Sequence, residues 1–101
     1  MATIIRGTTP TIKYTFSTVH ISDLALAYLT IVQDGQTIIE HDLSEATIGE
    51  SDISWTLTQA ETLMLTRQAS AMLNWKLADG TRGASEKATI QMSENYKDEV
   101  I

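Results

Sequence analysis

Ile12, Tyr14 and Phe16 alternate with Thr11, Lys13 and Thr15, the two-residue period of a strand that rests one face on a core. Pro10 stands just before the run, where its missing N–H takes nothing from a ladder. The run Leu26–Val32 is rich in β-branched and aromatic residues, and Gln36–His41 follows it across Asp34-Gly35. An Asp-Gly pair between two such runs supplies the positive φ angles of a two-residue turn, so a hairpin is predicted there. Which of its faces is inside stays open, because Leu29 and Ile31 compete with Tyr28 and Val32.

Ile53, Trp55 and Leu57 alternate with Ser54 and Thr56, a further strand. Thr58-Gln59-Ala60-Glu61 then matches a capping box, in which hydroxyl and carboxylate each accept from the other residue's N–H, and one helical turn is expected over residues 59–64. Ala71, Leu73, Trp75 and Leu77 alternate with Met72, Asn74 and Lys76, and Asp79-Gly80 turns the chain toward Ala88, Ile90 and Met92, a second hairpin. Counting outward from that turn sets Leu73 against Glu86, a poor core pair. A bulge near Gly83 that moves Ala88 into the apolar layer is therefore predicted. The predicted core is Ile12, Tyr14, Phe16, Ile53, Trp55, Leu57, Leu73, Trp75, Leu77 and Ile90.

About seven short strands, two Asp-Gly hairpins and one helical crossover predict an all-β fold, an antiparallel immunoglobulin-like β-sandwich occupying residues 1–101 as a single domain. The non-alternating segments 18–23, 43–52 and 58–70 fall where the chain must cross between sheets. A small closed barrel is the alternative. The cysteine pair and tyrosine corner of antibody domains are absent from the sequence. The charged stretch Ser93–Ile101 is expected to pair as a last strand or to dock rather than to stay loose.

Composition narrows the function. With 101 residues, 11.1 kDa and 43% hydrophobic content, the chain suits one core, and a compact monomer of this mass would expose roughly 5,700 Å². The net charge of -6 repels nucleic-acid phosphates and anionic lipid headgroups, so neither is an expected partner. Without cysteine there is no thiolate chemistry and no Cys-type zinc site. The first residues lack a signal peptide's basic and apolar regions, and Leu24–Val32 is far shorter than the ~20 residues of a membrane-spanning helix, so no such segment is expected.

Candidate chemistry is sparse. His41 lies between Glu40 and Asp42, but strand alternation sends those carboxylates to the other face, so no local metal sphere is expected. His20 has no partner constellation. No nucleophile elbow, calcium loop or glycine-rich phosphate loop occurs. Trp55 and Trp75 fall on the apolar phase of their strands and read as core; a sugar-stacking platform would need one of them exposed. No Lys or Arg stands between Lys13 and Arg67, while eight Asp or Glu do, which reads as a solvated face or a patch for a basic neighbour. No catalytic, cofactor-binding or metal residues are assigned, and no enzyme is expected.

Ile5-Arg6-Gly7-Thr8-Thr9-Pro10, the run Leu57-Thr58-Gln59-Ala60-Glu61-Thr62-Leu63, Asp79-Gly80, Ser85 and Glu99-Val100-Ile101 together resemble short structural proteins of phages and prophages of Gram-positive hosts. The layout is also similar, more loosely, to the N-terminal β-sandwich domain of phage upper baseplate proteins. The resemblance implies a non-enzymatic virion, tail or baseplate-associated protein, assembled in the bacterial host cytoplasm. Its implied partners are other phage structural proteins or further copies of itself. A carbohydrate- or small-ligand-binding module of the same fold is the alternative.

Overall fold

The computed structural model describes residues 2–101. In chain order they form β1 (Ala2–Ile5), β2 (Thr11–Thr15), β3 (Leu24–Gln33), β4 (Gln36–Asp42), β5 (Thr47–Ile48), β6 (Asp52–Thr56), α1 (Gln59–Leu63), β7 (Ala69–Leu77), β8 (Arg82–Ala84) and β9 (Ala88–Ser93). Single 3₁₀ turns lie at Ile21–Asp23 and Leu43–Glu45. The larger sheet runs β1-β9-β7-β3-β4, with β8 also on β7; the smaller runs β2-β6-β5. The chain thus crosses between sheets after β1, β2, β4 and β6, and the last three crossings fall at the three non-alternating segments. A β9-β7-β3 centre facing β2-β6-β5 is the immunoglobulin-like sandwich, and β4 adds to the larger sheet as the extra strand does in variable-type domains.

The strand count exceeds seven because β5 has only two residues and because β8 and β9 lie end to end along β7. One pairing is not antiparallel: β1, which carries no alternation signal, runs parallel to β9 from Ala2↔Ile90 to Ile5↔Ser93. Ser93 ends β9, and the following tail docks without forming a strand.

The first hairpin turns at Asp34 (φ 54°) and Gly35 (φ 77°), the left-handed pair that a two-residue connection matching strand twist requires. Its open face is now settled. Ala27, Leu29 and Ile31 are buried between the sheets, while Leu26 and Tyr28 point to the outer face. The register slips once on β4, from Ile31↔Ile39 to Val32↔Thr37, and Ile38 is the extra residue.

In the second hairpin a slip exists, but not at Gly83, and it gives β9 no new register. The loop holds three residues, with Leu77 N–H donating to Thr81 O, and the slip returns Ala71↔Ala88 to the straight count from Asp79-Gly80. Trp75↔Gly83 is a regular pair, and the one-residue slip falls between Asn74↔Ala84 and Ala71↔Ala88. Ser85 spans the gap: its N–H donates to Leu73 O at 2.8 Å and its Oγ accepts from Leu73 N–H at 2.8 Å. A hydroxyl thereby stands where a strand carbonyl would be. Gly83 serves a different need, since a Cβ there would overlap the Trp75 indole. Ala88 does come opposite buried Ala71, yet it stays exposed at the strand's start; Ile90 and Met92 form the buried part.

Of the predicted core, Ile53, Trp55, Leu57, Leu73 and Ile90 are buried, and Ile12, Tyr14, Phe16 and Trp75 pack half-buried against them. Phe16 meets Trp75 edge-on across the sandwich, centroids 5.1 Å apart. Leu77 is only half-buried and lies outside the core, at the end of β7 beside the turn. Ile4, Ile39 and Leu65 join the core from segments with weak or no periodicity, and Ala27, Leu29, Ile31, Ala69, Ala71 and Met92 fill the rest of it.

Candidate functional site

Three places on the molecule gather polar or exposed chemistry, and the first centres on His41. Its ring lies on the inward phase of β4, with Leu29 opposite, so Glu40 and Asp42 do point the other way. Two more distant carboxylates reach it instead. Nδ1 lies 2.8 Å from Glu45 Oε2 and Nε2 lies 2.6 Å from Glu61 Oε2. Both ring nitrogens can donate only when the imidazole carries two protons, so this geometry is that of the cation. Burial opposes that charge, but the hydrogen bond to Glu45 and the charge and hydrogen bond of Glu61 outweigh it and raise the His41 pKa. The bond from His41, then the Asp42 N–H, hold Glu45 below its ordinary value.

Each glutamate is also half of a capping box. Glu61 Oε1 accepts from Thr58 N–H at 2.9 Å while Thr58 Oγ1 accepts from Glu61 N–H at 3.1 Å, the box legible in the sequence. Glu45 Oε1 accepts from Asp42 N–H at 3.2 Å, and Asp42 Oδ1 accepts from Ser44 N–H at 3.0 Å. Asp42-x-x-Glu45 is the signal that reveals the second box, and the i,i+4 spacing of His41 and Glu45 is the signal for their pairing. All four oxygens of the two glutamates are engaged. The cluster therefore clamps β4, a 3₁₀ turn and α1 together, and leaves no carboxylate oxygen free to act as a base.

The second place joins the two motifs that carry the phage resemblance. Arg6 Nε donates to Leu65 O at 3.0 Å and Nη2 to Leu63 O at 2.7 Å, so the guanidinium closes the carbonyl end of α1. Gly7 N–H donates to Thr62 Oγ1 at 3.0 Å, and that hydroxyl, fully buried, donates to Thr8 O at 2.8 Å. The tail docks on the same joint through Arg6–Asp98, Asn95 Nδ2 to Arg6 O at 2.8 Å, and Ile101 N–H to Gln59 Oε1 at 2.7 Å. Tyr96, Val100 and Ile101 nevertheless remain exposed. Arg-Gly-Thr and Leu-Thr-Gln-x-Glu-Thr are thus two halves of one structural joint.

The third place is the outer face of the larger sheet. Pairing sets Asp42, Tyr28 and Asn74 in one row, Glu40, Thr30 and Met72 in the next, and Leu26, Lys76 and Arg82 on the other side of Tyr28. Leu26 (44% exposed) and Tyr28 (40%) are large apolar groups open to water. Beside them Asn74, Trp75, Lys76 and Arg82 line a cavity of about 170 Å³. That is small against the ~300 Å³ at which drug-sized ligand pockets begin.

The acidic stretch does not form one patch. Asp52 pairs with Lys13 at 3.4 Å, Asp34 with Arg67 at 3.7 Å, Glu45 and Glu61 with His41, and Glu40 and Asp42 lie on the outer face. His20 is exposed at the start of the first 3₁₀ turn and makes no capping bond. Trp55 is buried, its Nε1 donating to Asp42 O at 2.9 Å; Trp75 is half-buried and borders the cavity. Among the described residues, no group of three or more His, Asp or Glu is placed to hold a metal ion, and no helix is long and apolar enough to cross a membrane.

Neither a protein-family model nor a curated protein sequence matches the chain. Among solved structures, one of murine CRIg is similar at 11% identity and a TM-score of 0.49, covering 93% of this chain and 91% of its own. So distant a likeness says nothing of function.

Proposed function

We propose that this chain is a non-enzymatic structural module of a phage or prophage particle, tail- or baseplate-associated, that works through protein–protein contacts. The observation that carries the reading is the outer sheet face. It leaves Leu26 and Tyr28 open beside Lys76 and Arg82, which have no carboxylate partner among the described residues, and apolar side chains held open in that way are typical of contact sites. The motifs of the resemblance support the same reading in a negative sense: their polar atoms are spent on a joint within the chain, which is a scaffold's use of them.

The test is a photo-crosslinking residue at Tyr28, combined with light scattering over a range of protein and salt concentrations. A discrete crosslinked product with a co-expressed tail or baseplate protein, or with the chain itself, supports the reading. No product together with a solution mass of 11.1 kDa at every concentration overturns it.

A second reading, a carbohydrate- or small-ligand module, is favoured by one feature, the small outer-face cavity behind which Trp75 lies, with Asn74 and Arg82 at its rim. Quenching of Trp75 fluorescence by a mono- or disaccharide, lost in Arg82→Ala, would support it. An unchanged spectrum at millimolar sugar would remove it.

A further inference from the structure

We infer that the outer face of the larger sheet binds a second copy of this chain, face to face, about a two-fold axis running along the strands. The inference rests on the protein-contact reading above and names its partner. Of the seven Lys and Arg residues, Arg6, Lys13, Arg67 and Lys97 have carboxylate partners. The three without one among the described residues are Lys76, Arg82 and Lys87, and all three border this face on its β7–β8–β9 side. Lys76 and Arg82 are moreover direct cross-strand neighbours, a like-charge pair that costs stability unless an anion comes to it. Glu86 is the only acidic residue between Arg82 and Ser93.

The opposite flank is acidic. Glu40 and Asp42 sit two apart on one face of β4, again like beside like, and neither has a cation partner among the described residues. Between the flanks lies the stripe of Leu26, Tyr28, Val32 and Met72. From β4 to β9 is three strand spacings, roughly 14 Å, so the flanks are too far apart to neutralise each other within one chain.

A partner of one sign would satisfy one flank and meet like charge on the other. A copy turned about an axis along the strands brings its β7–β9 flank over the first copy's β4 and its β4 over the first copy's β7–β9, so both flanks are matched at once. Four strands at about 4.8 Å spacing and ten residues at about 3.4 Å rise give a plan area of roughly 600 Å². Side-chain relief adds to the plan, which brings the face near the ~800 Å² per partner of a stable interface.

The experiment is sedimentation equilibrium on the wild-type chain and on two charge variants. T37K/E40K reverses the β4 flank and leaves Asp42 to its cap; K76E/R82E/K87E reverses the other. The wild type should give twice the 11.1 kDa of one chain. Each variant alone should dissociate, its dissociation constant rising about a hundredfold because like flanks now face each other. An equimolar mixture of the two should regain a dimer of near wild-type strength.

Near-UV circular dichroism, which reads the packing of Trp55, checks that each variant is folded. If the triple variant is not, K87E alone, in an exposed loop, replaces it. A wild-type monomer at every concentration overturns the inference and leaves the crosslinking test to decide the wider reading. A wild-type dimer indifferent to both variants, or a mixture that stays monomeric, also overturns it, while the contact reading survives with its interface elsewhere.

Discussion

His41 ties three backbone segments through one ring, and its protonation state sets how firmly it does so. A histidine whose pKa is raised by folding contributes stability below its unfolded value of 6.5 and loses it as pH rises through the folded value. Glu45, lowered from 4.5, contributes above that value and loses its share as pH falls through the lower folded one. The melting temperature should therefore peak between about pH 4.5 and 6.5 and fall on the alkaline side. In His41→Gln the alkaline decline should disappear, a comparison that scanning calorimetry from pH 5 to 8 makes directly. The two glutamates were within reach of sequence reasoning only in part. The box at Thr58 is local and legible, but its convergence with Asp42-x-x-Glu45 on one imidazole depends on two segments folded together, which no window of the chain contains.

At the scale of elements, the second hairpin separates a legible fact from an illegible one. That one residue must stand out of the ladder between Asp79-Gly80 and Ile90 follows from polarity, because Leu73 cannot face Glu86, although Ala71↔Ala88 keeps the straight count from that turn. Where it is skipped depends on Ser85, whose Oγ can take the place of a carbonyl for Leu73 N–H, a substitution that periodicity does not encode. Gly83 reads as a bulge for the same reason that it is required: it lacks a Cβ. The need arises from the indole of Trp75 lying against it. Gly83→Ala should cost about 1–3 kcal/mol, as overpacking does, by forcing the indole off its contact with Phe16. Urea denaturation should register the loss together with a shift in Trp75 fluorescence. Strands β2, β6 and β7 were legible because half their residues face water. β1 was not, since a parallel edge strand of four residues has neither length nor alternation to mark it.

For the molecule as a whole, the sandwich was legible from turns and alternation, whereas the outer face was not. Tyr28 and Val32 compete with Leu29 and Ile31 on hydrophobicity alone, and only the opposing sheet decides between them. The molecule measures 47 × 26 × 20 Å and exposes 6294 Å², about 600 Å² more than a compact monomer of its mass, and the docked tail is part of that excess. Deleting Tyr96–Ile101 removes Arg6–Asp98 and the Gln59–Ile101 bonds but leaves Asn95 on Arg6. The melting temperature should fall by roughly 5 °C, the equivalent of about 1 kcal/mol in a chain this size, with the near-UV spectrum intact. Loss of that spectrum would mean that the tail completes the core.

The parallel pairing of β1 with β9 has a mechanical meaning. Tension applied between the start of β1 and the end of β9 pulls two parallel strands past one another, so every bond from Ala2↔Ile90 to Ile5↔Ser93 is loaded together rather than one after another. Arg6 lies just beyond, where its N–H donates to Ser93 O at 3.0 Å and its side chain holds α1 and the tail, a latch in line with the load. Single-molecule pulling through these two points should meet a sharp force peak that Arg6→Ala lowers. Pulling across the Asp34-Gly35 hairpin, where bonds open in turn, should meet a lower force.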